Sequence, residues 1–394
     1  MSVLMTAAAL CAVGAEKAVS NEIRKLDLEV KESGFGRVLF RADINGLYRA
    51  LMGLRAADRV LLETAWFPAN DFDALFDNAR SVQWEDFIPR GSGLVVSKVR
   101  TNRSVLKAET SVQAIIHKAA AGRLCEKWGM RRLPEDGVNA ELRVYIEKDR
   151  VSLLLDLSGD PLFKRGFRAV GGPAPLRETT AAALILLSGW KRKFPLYDPF
   201  CGSGTIAIEA LMYAWNMAPG LNREFAIDHL LLSDKKKSAI VREELFSQID
   251  VSRIIRISGS DSDNQAVKLA VSNAAKIVSL LKGKVSGDPA APQFEILAMN
   301  QAKPQDCGPE SDKGYIITNP PYGKRLGSPE ESEQIYRDMG SHADGSLADR
   351  FPGWKLVLIT DHPGFESFYG KKADSCREIT NGAIQSYMYQ YDIL

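Results

Sequence analysis

Asn319, Pro320, Pro321 and Tyr322 follow the apolar run Tyr315-Ile316-Ile317-Thr318 and precede Gly323. Those residue types suit methyl transfer to an exocyclic amino group of a nucleobase. The Asn319 side-chain oxygen and the Pro320 carbonyl can accept hydrogen bonds from the two hydrogens of an aromatic amine. Holding those hydrogens draws the nitrogen lone pair out of conjugation. Tyr322 then offers a flat face on which a base taken out of its stack can rest. Asn and Pro are also ordinary turn residues, so the pentapeptide takes this meaning only if the chain carries a methyl donor site as well.

A second stretch supplies one. From Pro195 the chain reads Pro-Leu-Tyr-Asp-Pro-Phe-Cys-Gly-Ser-Gly-Thr-Ile-Ala-Ile-Glu-Ala, which predicts a short strand, a glycine turn and an amphipathic helix. Asp198, Pro199, Phe200, Gly202, Ser203 and Gly204 form the turn. Gly202 and Gly204 let backbone approach a ligand with no Cβ in the way, at the carboxyl end of a strand where nucleotide-like cofactors sit. Position 207 is alanine and no Gly-Lys-Ser/Thr follows, so neither the dinucleotide pattern nor a P-loop is present. An acid at Asp198 suits a cofactor with an ammonium and a sulfonium better than one with a pyrophosphate, which points to S-adenosylmethionine.

The alternation of Arg253-Ile254-Ile255-Arg256-Ile257 predicts a second strand running into Gly259-Ser260-Asp261-Ser262-Asp263, with a helix from Gln265. A carboxylate at such a strand end can accept both ribose hydroxyls. Asp261 is the first candidate, with Ser262 beside it and Asp263 the second. Asp263 stands equally well as the N-cap of the helix. A third strand, Phe294-Glu295-Ile296-Leu297, leads to Asn300, where an adenine contact would fall to backbone groups or to Asn300 itself.

These elements need a large scaffold, and the composition supplies it. The chain has 394 residues, 45% hydrophobic and 25% charged, enough for two or three domains with ample core. Net charge is only +2, yet cations cluster between Arg90 and Arg132. Lys98, Arg100, Arg103, Lys107 and Lys118 there could neutralise phosphates of an RNA backbone or form a solvated face. Lys324 and Arg325, just past the Tyr322 turn, could grip phosphates beside an extruded nucleotide or be exposed loop charge. Cysteines at 11, 125, 201, 307 and 376 make no C-x-x-C and fit a reducing cytoplasm. Histidines at 117, 229, 342 and 362 make no H-x-x-x-H pair, so no metal is expected. Val3 to Gly14 is apolar, but no Lys or Arg precedes it, so a buried strand is expected and not a secretion signal. No stretch reaches the length of a membrane span.

With these motifs the chain resembles the bacterial THUMP-domain class I methyltransferases that modify guanine N2 in 23S ribosomal RNA, a group also described as N6-adenine-specific DNA methylases. The likeness is carried by Leu157-Ser158-Gly159-Asp160-Pro161-Leu162, Lys164-Arg165-Gly166, Ala174-Pro175-Leu176-Arg177-Glu178-Thr179, the Asp198 turn and Asn319 to Gly327, and it extends to Leu54–Val60 and Asn381-Gly382. It implies an α/β chain with a ferredoxin-like unit over residues 1–60, a THUMP RNA-binding domain over 61–160, and a Rossmann-like methyltransferase domain over 161–394. It also implies a substrate in 23S rRNA or a ribosomal precursor particle. Adenine N6 methylation and a noncatalytic RNA-binding factor are the rival readings, and oligomeric state is not legible.

In detail, the pattern predicts helices over Glu16–Lys25, Ser111–Trp128, Thr179–Trp190 and Glu331–Met339. Strands are predicted at Arg37–Phe40, Val144–Leu157 and Lys355–Thr360, with a closing hairpin through Asn381-Gly382.

Overall fold

The computed structural model describes residues 3–168, 176–253, 255–304, 312–321, 329–340, 345–382 and 384–392. In it the alanine-rich N-terminal stretch is a strand. β1 (Met5–Cys11) is followed by α1 (Glu16–Lys25), β2 (Glu29–Gly34), β3 (Arg37–Ala42), α2 (Ile44–Gly53), β4 (Ala57–Pro68), α3 (Phe72–Ser81), β5 (Gly93–Asn102), α4 (Glu109–Trp128), β6 (Asn139–Glu147) and β7 (Arg150–Asp156). They make one seven-stranded sheet in the order β2-β3-β1-β4-β7-β6-β5. β1 lies between β3 and β4, and its small Ala7, Ala8 and Ala9 are all fully buried. Residue 60, the expected end of the first unit, falls inside β4, which pairs with β1 on one edge and β7 on the other.

The apolar run Val144–Leu157, expected as one strand, is instead the end of β6 and the whole of β7. Lys148 and Asp149 adopt φ of 51° and 60° and reverse the chain between them. Neither is the glycine that usually marks such a turn.

The second half contains α5 (Glu178–Leu187), β8 (Leu196–Asp198), α6 (Thr205–Ala214), α7 (Lys235–Ser247), β9 (Ile257–Asp261), α8 (Asn264–Leu281), β10 (Gln293–Ile296), β11 (Tyr315–Thr318), α9 (Pro329–Met339), β12 (Lys355–Thr360), β13 (Ser375–Asn381) and β14 (Ile384–Tyr391). The sheet order is β10-β9-β8-β11-β12-β14-β13. The strands from β10 to β12 run parallel, and β14 enters antiparallel between β12 and β13. β8 therefore has β9 on one side and β11 on the other, so the order reverses there, the place outside whose strand ends ligands bind in such sheets. An aromatic cluster braces one face of this sheet, with Tyr197 stacked on Phe351 and Tyr369 packed on Tyr391.

β9 starts later than expected, at Ile257, so Gly259 and Ser260 lie within the strand. α6 was expected to be amphipathic, but nearly every residue from Thr205 to Ala214 is buried. The N-terminal half covers its outer side. Arg55 donates to the carbonyls of Met217 (2.6 Å) and Met212, and Glu22 accepts from the amides of Arg55 (2.9 Å) and Ala56 (3.0 Å). Arg165 pairs with Glu209 of α6 at 3.2 Å and donates to the Arg55 carbonyl. Both members of that pair are almost fully buried, so removing one would cost about 3–5 kcal/mol. The two halves thus meet through a charged, buried seam next to the helix that follows the glycine turn.

Candidate active site

The glycine turn is held from several directions. Its start is fixed by Asp198 at the end of β8, whose Oδ1 accepts from the Phe200 amide (3.2 Å) and from Thr318 Oγ1 at the end of β11 (2.6 Å). The Cys201 amide donates to the Ser260 carbonyl on β9 (2.9 Å), and the Gly204 amide returns to the Cys201 carbonyl (2.8 Å). The Gly202 amide donates to Asp261 Oδ2 (3.0 Å), and Asp261 Oδ1 accepts from the Asp263 amide (2.9 Å). One carboxylate therefore ties the turn after β8 to the turn after β9. About two of its four lone-pair directions are left for a ligand.

Gly202 and Gly204 both lie at positive φ, 51° and 80°. A Cβ at Gly202 would meet no atom within 4 Å, whereas one at Gly204 would stand 3.0 Å from Ala270 Cβ and from Phe294 Cζ. Gly204 is thus needed for close packing of the turn on α8 and β10. Gly202 faces open space, the cradle a cofactor would fill. α6 begins immediately after, and its free amides favour negative or hydrogen-bond-accepting groups.

Burial pushes the Asp198 carboxyl up to about 7, and Asp261 nearby adds to the rise; the bonds from Thr318 and Phe200 oppose it. Its Oδ1 is directed at β11 and the turn. Burial likewise raises the Cys201 thiol, with Asp198 and Asp261 adding to it, and Cys201 is a filler beneath the turn.

At the end of β11, Asn319 is half-buried and Pro320 is buried. The Asn319 Oδ1 atom is sealed from solvent and has no hydrogen-bond partner among the described residues. A buried acceptor left so costs about 1–3 kcal/mol, which fits a group kept ready for a donor from outside the chain. Tyr322, Lys324 and Arg325 lie outside the described residues.

The other sequence candidates are placed as follows. Pro199 is buried and Phe200 packs against the aromatic cluster. Ser203 is half-buried, with its hydroxyl 3.4 Å from that of Thr205. Ser262 is exposed, and Asp263 caps α8, accepting from the Gln265 amide at 2.8 Å. Asn300 is exposed on a short 3-10 turn, Met299–Gln301, while the Leu297 amide ties that segment to the Asp261 carbonyl (3.1 Å). Lys98, Arg100, Arg103 and Lys107 follow one another along β5 and the segment after it. Burial lowers the Lys98 pKa, and Arg100 and Arg143 lower it further, so cations crowd there. Arg100 pairs with Glu109 (3.2 Å). Lys118, on α4, lies over the Phe76 ring of α3.

Two contributors were missed. Asn273, buried in α8, donates from Nδ2 to the Ser203 carbonyl (3.1 Å); an Asn on the apolar face of a helix is the signal that could have shown it. Arg168 donates to Thr205 Oγ1 (2.9 Å) and pairs with Glu178 (3.4 Å). Burial raises Glu178 to about 7 against that pairing. Among the described residues no group of three or more His, Cys, Asp and Glu is placed to hold a metal ion. No described helix is long and apolar enough to cross a membrane.

A glycine turn answered by an acid at the end of the neighbouring strand, on a sheet whose order reverses at the strand that carries the turn, defines a class I S-adenosylmethionine-dependent methyltransferase. The structure of SMU.472, provisionally named a methyltransferase and solved with S-adenosylhomocysteine, superposes on the whole of this chain and on 99% of its own, with a TM-score of 0.85 and 33% identity. Residues 165–390 match the family described as RMKL-like, methyltransferase domain (UPF0020), and residues 6–61 match the RlmL ferredoxin-like domain. The chain belongs to that methyltransferase family, and its cofactor is S-adenosylmethionine. It is 34% identical over 389 residues to YpsC of Bacillus subtilis, provisionally named an RNA methyltransferase, covering 98% of this chain and 95% of that one. It is 31% identical over 398 residues to the ribosomal RNA large subunit methyltransferase K/L of Syntrophotalea carbinolica, covering 96% of this chain and 52% of that one. The chain thus spans about half the length of the K/L relatives it matches.

Proposed function

We propose that this chain methylates an exocyclic amine in RNA, the target being guanine N2 in 23S ribosomal RNA, either free or in a precursor particle, in the cytoplasm. The observation that carries the reading is the buried, unpartnered Oδ1 of Asn319 at the end of β11, next to the strand end that anchors the glycine turn. The names of YpsC and of the K/L proteins support RNA as the substrate class.

S-adenosylmethionine supplies an electrophilic sulfonium methyl when bound. The residues from Pro199 to Gly204 would hold its methionine part, with Asp261 accepting from the ribose. Asn319 Oδ1 and the Pro320 carbonyl accept from the amine, orient its lone pair, and offset the positive charge that grows on nitrogen. The extra proton can pass to water, so no general base is required. Tyr322 would stack the base. The division into units over 1–60, 61–160 and 161–394 belongs to the same proposal, with Lys98, Arg100, Arg103 and Lys107 gripping RNA backbone and Lys118, Lys324 and Arg325 adding contacts.

The test is transfer of a labelled methyl group from S-adenosylmethionine to 23S rRNA by the purified chain, followed by nucleoside mass spectrometry. N2-methylguanosine is expected. Label appearing as N6-methyladenosine would replace the base assignment, and no transfer to any RNA would remove the function.

A further inference from the structure

A cavity of about 230 Å³ lies between α1 and the β13–β14 hairpin, at the seam of the two halves. Lys17, Asn21 and Lys25 reach it from α1 at spacings of four, hence from one face of that helix. Ser375 and Arg377 reach it from alternate positions of β13, and Gln390, paired with Ser375, from β14. Behind them Tyr213 forms part of the wall, with the Arg192 guanidinium 4.2 Å from its ring centroid.

The two walls are locked together. The Val13 amide donates to Thr380 Oγ1 and the Thr380 amide to the Val13 carbonyl, both at 3.0 Å. Gly14 passes so close to β13 that a Cβ there would overlap the Glu378 carbonyl oxygen. α1 begins two residues later, so its basic face is held opposite Arg377.

Among the described residues, no carboxylate lies within ion-pair distance of Lys17, Lys25 or Arg377, and none of the three has a further partner. Glu22 also lines the cavity, but both of its oxygens accept from backbone amides of Arg55 and Ala56. Three like charges around one cavity repel one another unless an anion shares them. The donor set of two ammonium groups, a guanidinium, two amides and a hydroxyl suits an anion of more than one charge with several acceptor oxygens. The volume, several times the roughly 30 Å³ a water occupies in the liquid, admits a phosphoryl group with room for an attached sugar.

We propose that this cavity is a phosphoryl-binding site, separate from the methyl-transfer site, that takes a phosphate group of an RNA strand or of a small phosphorylated molecule. It does not depend on the chain being an RNA methyltransferase.

The test uses the full chain, Arg377→Gln, and Lys17→Gln combined with Lys25→Gln. The second variant changes only exposed helix residues, so it covers the case in which Arg377→Gln fails to fold. S-adenosylhomocysteine affinity, equal in all three proteins, controls for integrity of the catalytic half. Pyrophosphate binding is followed by 31P line broadening, and binding of a 23S rRNA fragment is followed against salt. Pyrophosphate binding weakened at least tenfold in the variants, with RNA affinity unchanged, supports the site with a small-molecule source. RNA affinity reduced about tenfold, with a salt slope shallower by about 0.7 for each lost contact to single-stranded RNA, supports it with RNA as the source, whether or not pyrophosphate binds. If the variants match the wild type in both measurements, the site does not exist. If the wild type binds no RNA, the proposed function fails and the pyrophosphate arm alone decides for the cavity.

Discussion

The Thr318 hydroxyl, at the end of β11, donates to the buried Asp198 carboxyl, at the end of β8, over 2.6 Å. The residue next to Thr318 is Asn319, and the residues after Asp198 are the glycine turn. One hydrogen bond therefore links the strand end that offers the amine acceptor to the strand end that carries the cofactor turn. In-line transfer requires the two to keep a fixed separation, and a misplacement of 1 Å can cost about 100-fold in rate. Thr318→Val should leave cofactor affinity within about threefold and lower the single-turnover rate more. Equal loss of both, measured by calorimetry and rapid quench, would show that Thr318 serves only the turn.

Asp198 also gives a pH signature. Its folded pKa of about 7 lies above the ordinary 3.8, because burial disfavours the charged form. The folded chain thus binds more protons than the unfolded one between those values. That contribution to stability is complete below about pH 4 and is lost as pH rises through 7. Glu178, raised from 4.5 to about 7 by burial, acts in the same direction. Asp198→Asn keeps an acceptor for Thr318 and removes one of the two groups. Its urea-unfolding free energy should fall less between pH 5 and pH 8 than that of the wild type; an identical slope would mean that Asp198 is ionised throughout.

The two glycines of the turn should fail in different ways. Gly202→Ala places a methyl in open space, at the cost of a left-handed backbone worth about 1–2 kcal/mol. The protein should fold and lose S-adenosylhomocysteine affinity. Gly204→Val drives a branched side chain into Ala270 and Phe294, so its melting temperature should fall as well. A Gly202→Ala chain with wild-type affinity would move the cofactor elsewhere. Asp261→Ala frees the amides of Gly202 and Asp263, and should weaken the same ligand at least tenfold.

RNA grip calls for substitutions and not for truncation. Deleting the N-terminal half would strip the cover from α6 and leave Arg165 and Glu209 without their surroundings. Lys98→Ala with Arg100→Ala leaves that seam alone and, among the described residues, breaks only one exposed ion pair. RNA affinity should drop and the salt slope should become shallower by about 1.4, or about 0.7 for each contact to a single strand. An unchanged slope would show that this edge of the sheet stays in solvent.

How far the residues themselves disclosed these relationships differs by element. The glycine turn was legible because Gly202 and Gly204 need positive φ, and the acids because Asp198 follows an apolar strand and Asp261 follows the alternation from Arg253 to Ile257. Asp263 carried two readings in the sequence, and the structure makes it the cap of α8. Asn273 left one local mark, an Asn on the apolar face of α8, but its partner is a carbonyl seventy positions away and could not be read from the sequence. The seam of Glu22, Arg55, Arg165 and Glu209 was equally hidden, because buried charges read as surface residues until their partners are known. Lys148 and Asp149 hid a hairpin inside an apolar run because no glycine marks the turn and Lys148 is not a usual residue at positive φ.

Asn319 provides the sharpest test of chemistry against binding. Its Oδ1 is buried without a partner among the described residues, so the folded chain bears a desolvation cost of about 1–3 kcal/mol that a substitution can relieve. Asn319→Ala should therefore keep the melting temperature at or above the wild-type value, and cofactor and RNA affinities should change little. The single-turnover rate should nevertheless fall by roughly 100-fold or more, the scale on which one positioned polar group acts in a transition state. Asn319→Asp retains an acceptor and should keep partial activity, although a carboxylate in that position must be desolvated and should lower the melting temperature. A stable Asn319→Ala chain with wild-type turnover would leave the buried oxygen unexplained and would overturn its assignment as the amine acceptor. A chain that instead lost both stability and cofactor binding would make Asn319 a structural residue of the β11 terminus.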